Sequence, residues 1–269
     1  MKILFIGCGN MGGAIAQGML EHGGFDKSQI DVLLPSNSPH REEVGKKLGV
    51  AIHLDHFPQN TTFDAILFAV KPQTLSEILE SYRSYNIPAS TLIISIAAGK
   101  TLKFFEQVFT ENPVVRLMPN INILFNHGVT GAICNTKSTK SHEELVEKMI
   151  GKISYLHWFD REDAIDDIIP LSGSSPAYFF LFTEYLIKFA QEKGIPQDVA
   201  TDMAVKTLLG SAEMIKKSGK SLSELRESVT SHKGSTQASL DVFYEKDALY
   251  NLMANAMSAA VLRSKELSK

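Results

Sequence analysis

Gly7-Cys8-Gly9-Asn10-Met11-Gly12 is the stretch that decides the fold. It follows a short apolar run, Ile3 to Ile6, and opens a segment of small and apolar residues at helical spacing, Gly12 to Gly23. Between a strand and a helix, three glycines have separate physical roles. Gly7 permits a tight turn, Gly9 lets the backbone approach a pyrophosphate, and Gly12 lets the helix lie close to the strand. The unpaired amides at the helix start, together with the helix dipole, attract phosphate. The turn therefore predicts a dinucleotide site contacted by Gly7, Gly9, Asn10, Met11 and Gly12.

Outward from the turn, strand and helix signals alternate. Apolar runs at Ile3–Ile6, Ile30–Leu34, Ala65–Val70, Leu92–Ile96, Val114–Met118 and Gly131–Cys134 are the predicted strands. Continuous apolar runs suit parallel strands covered on both faces. The alternation predicts an α/β Rossmann domain with a doubly wound, mostly parallel sheet over residues 1–160. After Asp160 the strand signals stop, and an all-α domain is expected over 161–269. Ser175-Pro176 reads as an N-cap followed by proline at the first helical position, ahead of an apolar helix from Ala177 to Ala190. A second helix starts near Pro196 and closes near Gly219, and Ser221 with Glu224 predicts a capping box for a third. A last helical stretch, Gly234 to Leu267, breaks near Glu245-Lys246.

Phe179, Phe180, Leu181, Phe182, Tyr185, Leu186, Ile187 and Phe189 nearly surround the first of these helices. A helix that is apolar all round must be buried. The expected cover is a second subunit packed across a two-fold axis, giving a homodimer through the helical domain. Burial against the Rossmann domain alone is the alternative.

Composition excludes several classes. Hydrophobic residues are 44% of the 269 and charged residues 21%, which argues against disorder. A net charge of -3 with no basic block argues against nucleic-acid and anionic-membrane partners. Runs such as Ala65 to Val70 fall far short of the roughly 20 residues that span a bilayer. A strand at the very start leaves no room for a signal peptide. Cys8 and Cys134 read as two lone thiols in a reducing, cytoplasmic setting, and no Cys/His cluster has metal spacing.

The end of the second strand addresses which dinucleotide binds. It reads Leu34-Pro35-Ser36-Asn37-Ser38-Pro39-His40-Arg41. An NAD site usually carries an acid there, about 20 residues past the turn, to hold the ribose diol. None stands at this strand end, and Asp31 lies too early, inside the strand. Ser36 and Asn37 can donate to a 2′-phosphate and Arg41 can pair with it, so NADP(H) is expected over NAD(H).

Two serine- and threonine-rich turns lead into helices in the second half. Leu171-Ser172-Gly173-Ser174-Ser175-Pro176 is one, with Ser174 a candidate substrate contact. Thr230-Ser231-His232-Lys233-Gly234-Ser235-Thr236 is the other. Each offers hydroxyls and amides suited to a carboxylate or phosphate, and each also suits ordinary helix capping.

At this point six strings can be read together: GCGNMG, then Ala69-Val70-Lys71-Pro72-Gln73, Ser95-Ile96-Ala97-Ala98-Gly99, Arg116-Leu117-Met118-Pro119-Asn120, LSGSSPAYFF from Leu171, and the Thr230–Thr236 loop. In this order and at these distances the chain resembles the pyrroline-5-carboxylate reductases, from Lys2 to about Leu240. The resemblance implies hydride transfer from NAD(P)H to the C=N bond of 1-pyrroline-5-carboxylate, giving L-proline. It implies dimers through the helical domain, often assembled into larger rings. It implies that Ala69, Val70, Lys71 and Pro72 lie along the cofactor, and that Ala97, Ala98, Gly99, Pro119 and Asn120 line the nicotinamide side. Ser231, Gly234, Ser235 and Thr236 would hold the substrate carboxylate, with Ser231 and Thr236 the candidate catalytic hydroxyls and Thr236 near the ring nitrogen. Lys71 reads as a structural and cofactor-contacting residue, not a catalytic one.

The chain departs from the family pattern around the cleft. The family's loop usually reads Thr-Ser-Pro-Gly-Gly-Thr-Thr, and His232-Lys233 replace its Pro-Gly pair. If the second of these positions needs positive φ, lysine adopts it at a cost of about 1 kcal/mol or more. Ile121-Asn122-Ile123 replace Thr-Pro-Ala, Asn126-His127-Gly128 replace Gly-Glu-Gly, and a ribose-contacting asparagine matches His56 by spacing, with Asn60 nearby. Two other readings compete. A β-hydroxyacid dehydrogenase needs a lysine acid/base on the helix after the nucleotide domain, and here no lysine follows Ser172 until Lys188. A non-catalytic NADP-binding sensor is supported only by His232-Lys233.

Overall fold

The computed structural model describes residues 1–39, 41–58 and 60–267. The turn sits where the sequence places it, between β1 (Ile3–Ile6) and α1 (Asn10–Gly18). There follow β2 (Ile30–Leu34), α2 (Arg41–Leu48), β3 (Ala51–Leu54), β4 (Ala65–Phe68), α3 (Pro72–Tyr82), β5 (Leu92–Ser95), α4 (Leu102–Glu106), β6 (Val114–Pro119), β7 (Gly128–Cys134), α5 (Lys140–Ile150), β8 (Ser154–Trp158) and α6 (Asp163–Asp167). The eight strands form one sheet in the order β3-β2-β1-β4-β5-β6-β7-β8, parallel except for the antiparallel β6–β7 pair. The order reverses at β1, so a crevice is expected beyond the carboxyl ends of β1 and β4.

Side chains alternate across the strands and divide the core in two. Ile3, Phe5, Val32, Leu67 and Ile94 pack with Ile15 and Met19 on one face. Leu4, Ile6, Ile66, Phe68 and Ile93 pack with Leu75, Leu79, Tyr82 and Phe105 on the other. All six predicted strands are present: β1 and β2 have the predicted bounds, and the other four have shifted ends. β4 stops at Phe68, and β7 begins at Gly128, three residues before the predicted Gly131. Two strands were not predicted. β3 is half exposed and carries His53; β8 alternates buried and exposed positions instead of running apolar.

The C-terminal helices are α7 (Ser175–Glu192), α8 (Gln197–Lys217), α9 (Leu222–Ser228), α10 (Ser235–Tyr244) and α11 (Ala248–Leu267). The predicted capping box of α9 is present in both directions between Ser221 and Glu224. The predicted break falls at Lys246, whose φ is 51°. The start of α7 needs correcting: Ser175 is already helical, because a π-helical turn at Ile169–Gly173 leads into it, and its hydroxyl bonds the Leu171 carbonyl. The chain forms two compact units, Met1–Pro176 with Ala260–Lys269, and Ala177–Ala259. In the single chain Phe179, Phe182 and Phe189 are 56%, 54% and 61% exposed. No helix among the described residues is long and apolar enough to cross a membrane.

One buried ion cluster closes the first unit. The Arg116 side chain on β6 is 2% exposed and bonds Asp166 through both terminal nitrogens, at 2.9 and 3.4 Å. Glu162 accepts from the same guanidinium at 3.4 Å and from the Leu102 amide at 2.7 Å. Ser264, near the end of α11, donates to Asp166 at 2.7 Å. Removing one member strands a buried charge. Asp166→Ala is expected to lower stability by about 3 kcal/mol, read as a fall in the urea midpoint. An unchanged midpoint would show that the cluster carries no net stability.

Candidate active site

The glycine turn is built by contacts as close as the sequence requires. Gly7 has φ +82°, and a Cβ on it would lie 2.6 Å from the Val70 Cγ1. A Cβ on Gly12 would lie 2.6 Å from the Ala69 Cβ. Gly9 is different: its φ is -73°, and a Cβ there would meet no protein atom within 4 Å. Neither backbone conformation nor packing demands glycine at that position. The open side of Gly9 therefore leaves a cradle large enough to take a ligand group. Gly9 also caps α1 without a side-chain bond, leaving the first-turn amides open to an anion. A cavity of about 240 Å³ opens beside the turn, lined by Cys8, Gly9, Asn10, Gly13 and Lys47 among others. Burial pushes the Cys8 thiol up to about 11, so it stays protonated at neutral pH and is no nucleophile.

The parallel strands bring the predicted cofactor residues to one edge. Met11 packs against the core beneath the turn while Asn10 starts α1 in solvent. Ser36 and Asn37 form an exposed turn after β2, and Arg41 begins α2. His40 lies outside the described residues. Asp31 is buried within β2, held by His53 at 2.7 Å and Lys2 at 3.2 Å, as its early position implied. The strand end nonetheless has an acid, which the sequence reading missed. Asp55, just after β3, accepts from the Ser36 amide at 2.7 Å. Hydrogen bonding from Ser36 holds the Asp55 carboxyl below its ordinary range. No signal within β2 could reveal it, because β3 supplies the residue.

The remaining strand ends carry the other predicted contacts. Lys71 is exposed and caps α3, its carbonyl accepting from the Thr74 amide and hydroxyl, with Pro72 at the first helical position. Ala97, Ala98 and Gly99 follow β5, and Gly99 turns the chain at φ +74°. Pro119 ends β6. The Asn120 side chain is engaged within the fold. Its Oδ1 accepts from the Val129 amide at 3.0 Å and its Nδ2 donates to the Ser172 carbonyl at 3.1 Å. It joins β6 to β7 and to the π-helical turn.

In the LSGSSP segment three amides are already bonded within the chain. The amides of Leu171 and Ser172 donate to the Ile168 carbonyl, and that of Ser174 to Ile169. The π-helical turn satisfies donors that a plain helix start would leave open, which removes Ser174 from the anion-holding amides.

The second turn keeps its donors. In the helical unit, residues 231–234 form a turn closed by the Gly234 amide on the Ser231 carbonyl at 2.9 Å. Gly234 caps α10 with no side-chain bond, so the first-turn amides of Ser235, Thr236 and Gln237 lack a capping partner. A Cβ on Gly234 would collide with the Ser231 hydroxyl and lie 3.0 Å from its carbonyl, so the turn itself demands glycine. Lys233 takes φ +60°, the left-handed conformation that a glycine adopts freely.

Comparison with known proteins matches both halves. The family model "Pyrroline-5-carboxylate reductase dimerisation" matches residues 162–267, and "NADP oxidoreductase coenzyme F420-dependent" matches residues 2–99. The chain is 31% identical to a pyrroline-5-carboxylate reductase of Vibrio alginolyticus, over 100% of this chain and 98% of the relative. A solved pyrroline-5-carboxylate reductase of Coxiella burnetii superposes with TM-score 0.86 at 33% identity, covering 100% of this chain and 98% of that one. A Plasmodium falciparum pyrroline carboxylate reductase, solved with NADP bound, also gives 0.86 at 26% identity with the same coverage.

Gly9→Ala and Gly12→Ala separate ligand space from packing space. Gly9→Ala is expected to keep the melting temperature while NADPH affinity falls at least about tenfold. Gly12→Ala is expected to destabilise the fold by about 1–3 kcal/mol, since the Ala69 methyl must move. Unaltered NADPH affinity in folded Gly9→Ala would remove the pyrophosphate from this turn. Lys233→Gly is expected to raise stability by about 1 kcal/mol, measured by chemical denaturation, because it relieves a left-handed lysine.

Proposed function

The chain belongs to the pyrroline-5-carboxylate reductase family, and we propose that it reduces 1-pyrroline-5-carboxylate to L-proline, the last step of proline synthesis. Gly9 is the observation that carries the cofactor half of this reading: a glycine with ordinary φ and empty space at its Cβ. NADP(H) is the cofactor, with NAD(H) the weaker alternative, and when bound it supplies the hydride that the imine carbon receives.

The chain's own residues bind and orient. Open amides at the start of α1 hold the pyrophosphate beside Gly9, and Ser36, Asn37 and Arg41 stand at the adenosine end. Ala69–Pro72, Ala97–Gly99 and Pro119 line the nicotinamide half. The amides of Ser235 and Thr236, with the Ser231 and Thr236 hydroxyls, take the substrate carboxylate at the start of α10. A cyclic imine reacts most readily as its iminium, so no strong acid is required and positioning supplies most of the rate. Thr236 hands on or relays the proton that the ring nitrogen carries, which is a modest task for a hydroxyl. Lys71, exposed at the cap of α3, has no part in proton transfer.

The apolar rings of α7 are covered in a homodimer through the helical unit, matching the dimerisation model there. Rings of such dimers are the larger assembly this reading allows. The unpaired thiols Cys8 and Cys134 suit the reducing cytoplasm. Nothing in α7 favours the hydroxyacid dehydrogenase, whose catalytic lysine would fall well before Lys188.

The deciding assay is NADPH oxidation with 1-pyrroline-5-carboxylate. Turnover is expected; tight NADPH binding without turnover would favour the sensor. Thr236→Ala is expected to lower kcat/KM by about 100-fold while NADPH affinity holds. Unchanged kinetics would take Thr236 out of the site.

A further inference from the structure

We infer that Asp55 sets how sharply this chain distinguishes NADPH from NADH, by holding a carboxylate where the 2′-phosphate would bind. The inference rests on the reading of the chain as a dinucleotide-dependent reductase.

Strand pairing brings Asp55 there. β3 runs parallel to β2 with Leu54 opposite Leu34, so the residue after Leu54 arrives at the end of β2. The Asp55 amide donates to the Leu34 carbonyl at 3.0 Å, which anchors its backbone. Its Oδ1 accepts from the Ser36 amide at 2.7 Å. Asp55 holds φ +59°, a left-handed conformation that aspartate and asparagine adopt more readily than most residues. Four features thus fix one exposed side chain at one strand end.

The consequence follows from charge and from hydrogen-bond supply. Ser36 is the first donor available to a 2′-phosphate, and its amide already donates to a carboxylate. An incoming phosphate must compete for that amide and sit close to a like charge. A ribose 2′-hydroxyl meets no such opposition, since it can donate to the acid. NAD sites place an acid at the end of the second strand for that purpose. Here β3 supplies the acid from the side. Arg41, first residue of α2, attracts the phosphate and acts against Asp55. The balance keeps NADPH as a ligand and narrows its advantage over NADH.

The test is a fluorescence titration of the intact dimer with NADPH and with NADH, for the native chain, Asp55→Asn and Asp55→Ala. Asparagine keeps an oxygen for the Ser36 amide and tolerates the left-handed backbone, so the fold is retained; a melt checks this for both variants. Both variants are expected to raise the ratio of the NADH to the NADPH dissociation constant, by about tenfold for Asp55→Asn. The rise should come from tighter NADPH or weaker NADH, and it should shrink at high salt. A ratio that stays level or falls in folded Asp55→Asn overturns the inference. If neither dinucleotide binds the native chain, the cofactor reading fails and takes this inference with it. If both bind but the imine is not reduced, the proposed function fails, and the ratio still decides Asp55.

Discussion

A single methyl group decides whether the first helix can lie on the sheet. With glycine at position 12, α1 approaches Ala69; any Cβ there would stand 2.6 Å from the Ala69 methyl. A Cβ on Gly7 would stand at the same distance from the Val70 Cγ1. The two glycines of the turn and the two small residues after β4 are therefore one packing unit, although some sixty positions separate them in sequence. This approach brings the start of α1 onto the seam between β1 and β4, where the strand order reverses. The crevice, its amides and the cofactor reading all depend on it. Gly9 lies between these two glycines and serves neither of them, which is why its identity points outward to a ligand.

The helical half is governed by a different constraint. Its side chains fail to cover themselves. Phe180, Tyr185 and Leu186 are exposed along α7, as are Met203 and Leu209 on α8. Each ring left in water forgoes about 25 cal/mol for every Å² that a partner would cover. A monomer with this much apolar helix is a poor solution, and a second copy presenting the same face buries it by symmetry. Stability and assembly are then one question for this half, whereas the sheet half has its own closed core and the buried Arg116 cluster.

How much of this was legible depends on whether a signal is local. β1 and β2 read off as continuous apolar runs, and the capping box of α9 lies within four residues. β3 did not, because Ala51-Ile52-His53-Leu54 is an edge strand with one polar side chain and little burial. The π-helical turn at Ile169–Gly173 did not either: serines before a proline look alike whether their amides are free or already bonded. Asp55 was invisible for a topological reason. The position that matters is the end of β2, and the acid comes from a neighbouring strand, nineteen residues from Ser36. Motif reading along one chain segment cannot see a residue delivered by strand pairing.

The departures from the family pattern in the α10 loop share one physical property: they change side chains and leave the uncapped helix-start amides in place. His232 and Lys233 replace residues of the loop, yet the donors at the start of α10 are amides, and those of Ser235, Thr236 and Gln237 keep their positions. Gly234, the residue whose Cβ would collide with Ser231, is retained. Lys233 keeps the left-handed turn that glycine would make, at a cost of about 1 kcal/mol, so the path of the loop survives the substitution. Asn120 likewise makes two side-chain bonds that tie β6 to its neighbours, while the residues after it depart from the family pattern. A site that holds its anion through helix-start amides tolerates such changes, because the donors belong to the main chain and are fixed by φ and ψ. The substitutions that would disable it are those at Gly9 or Gly234, where backbone must come close to something and a side chain would stand in the way.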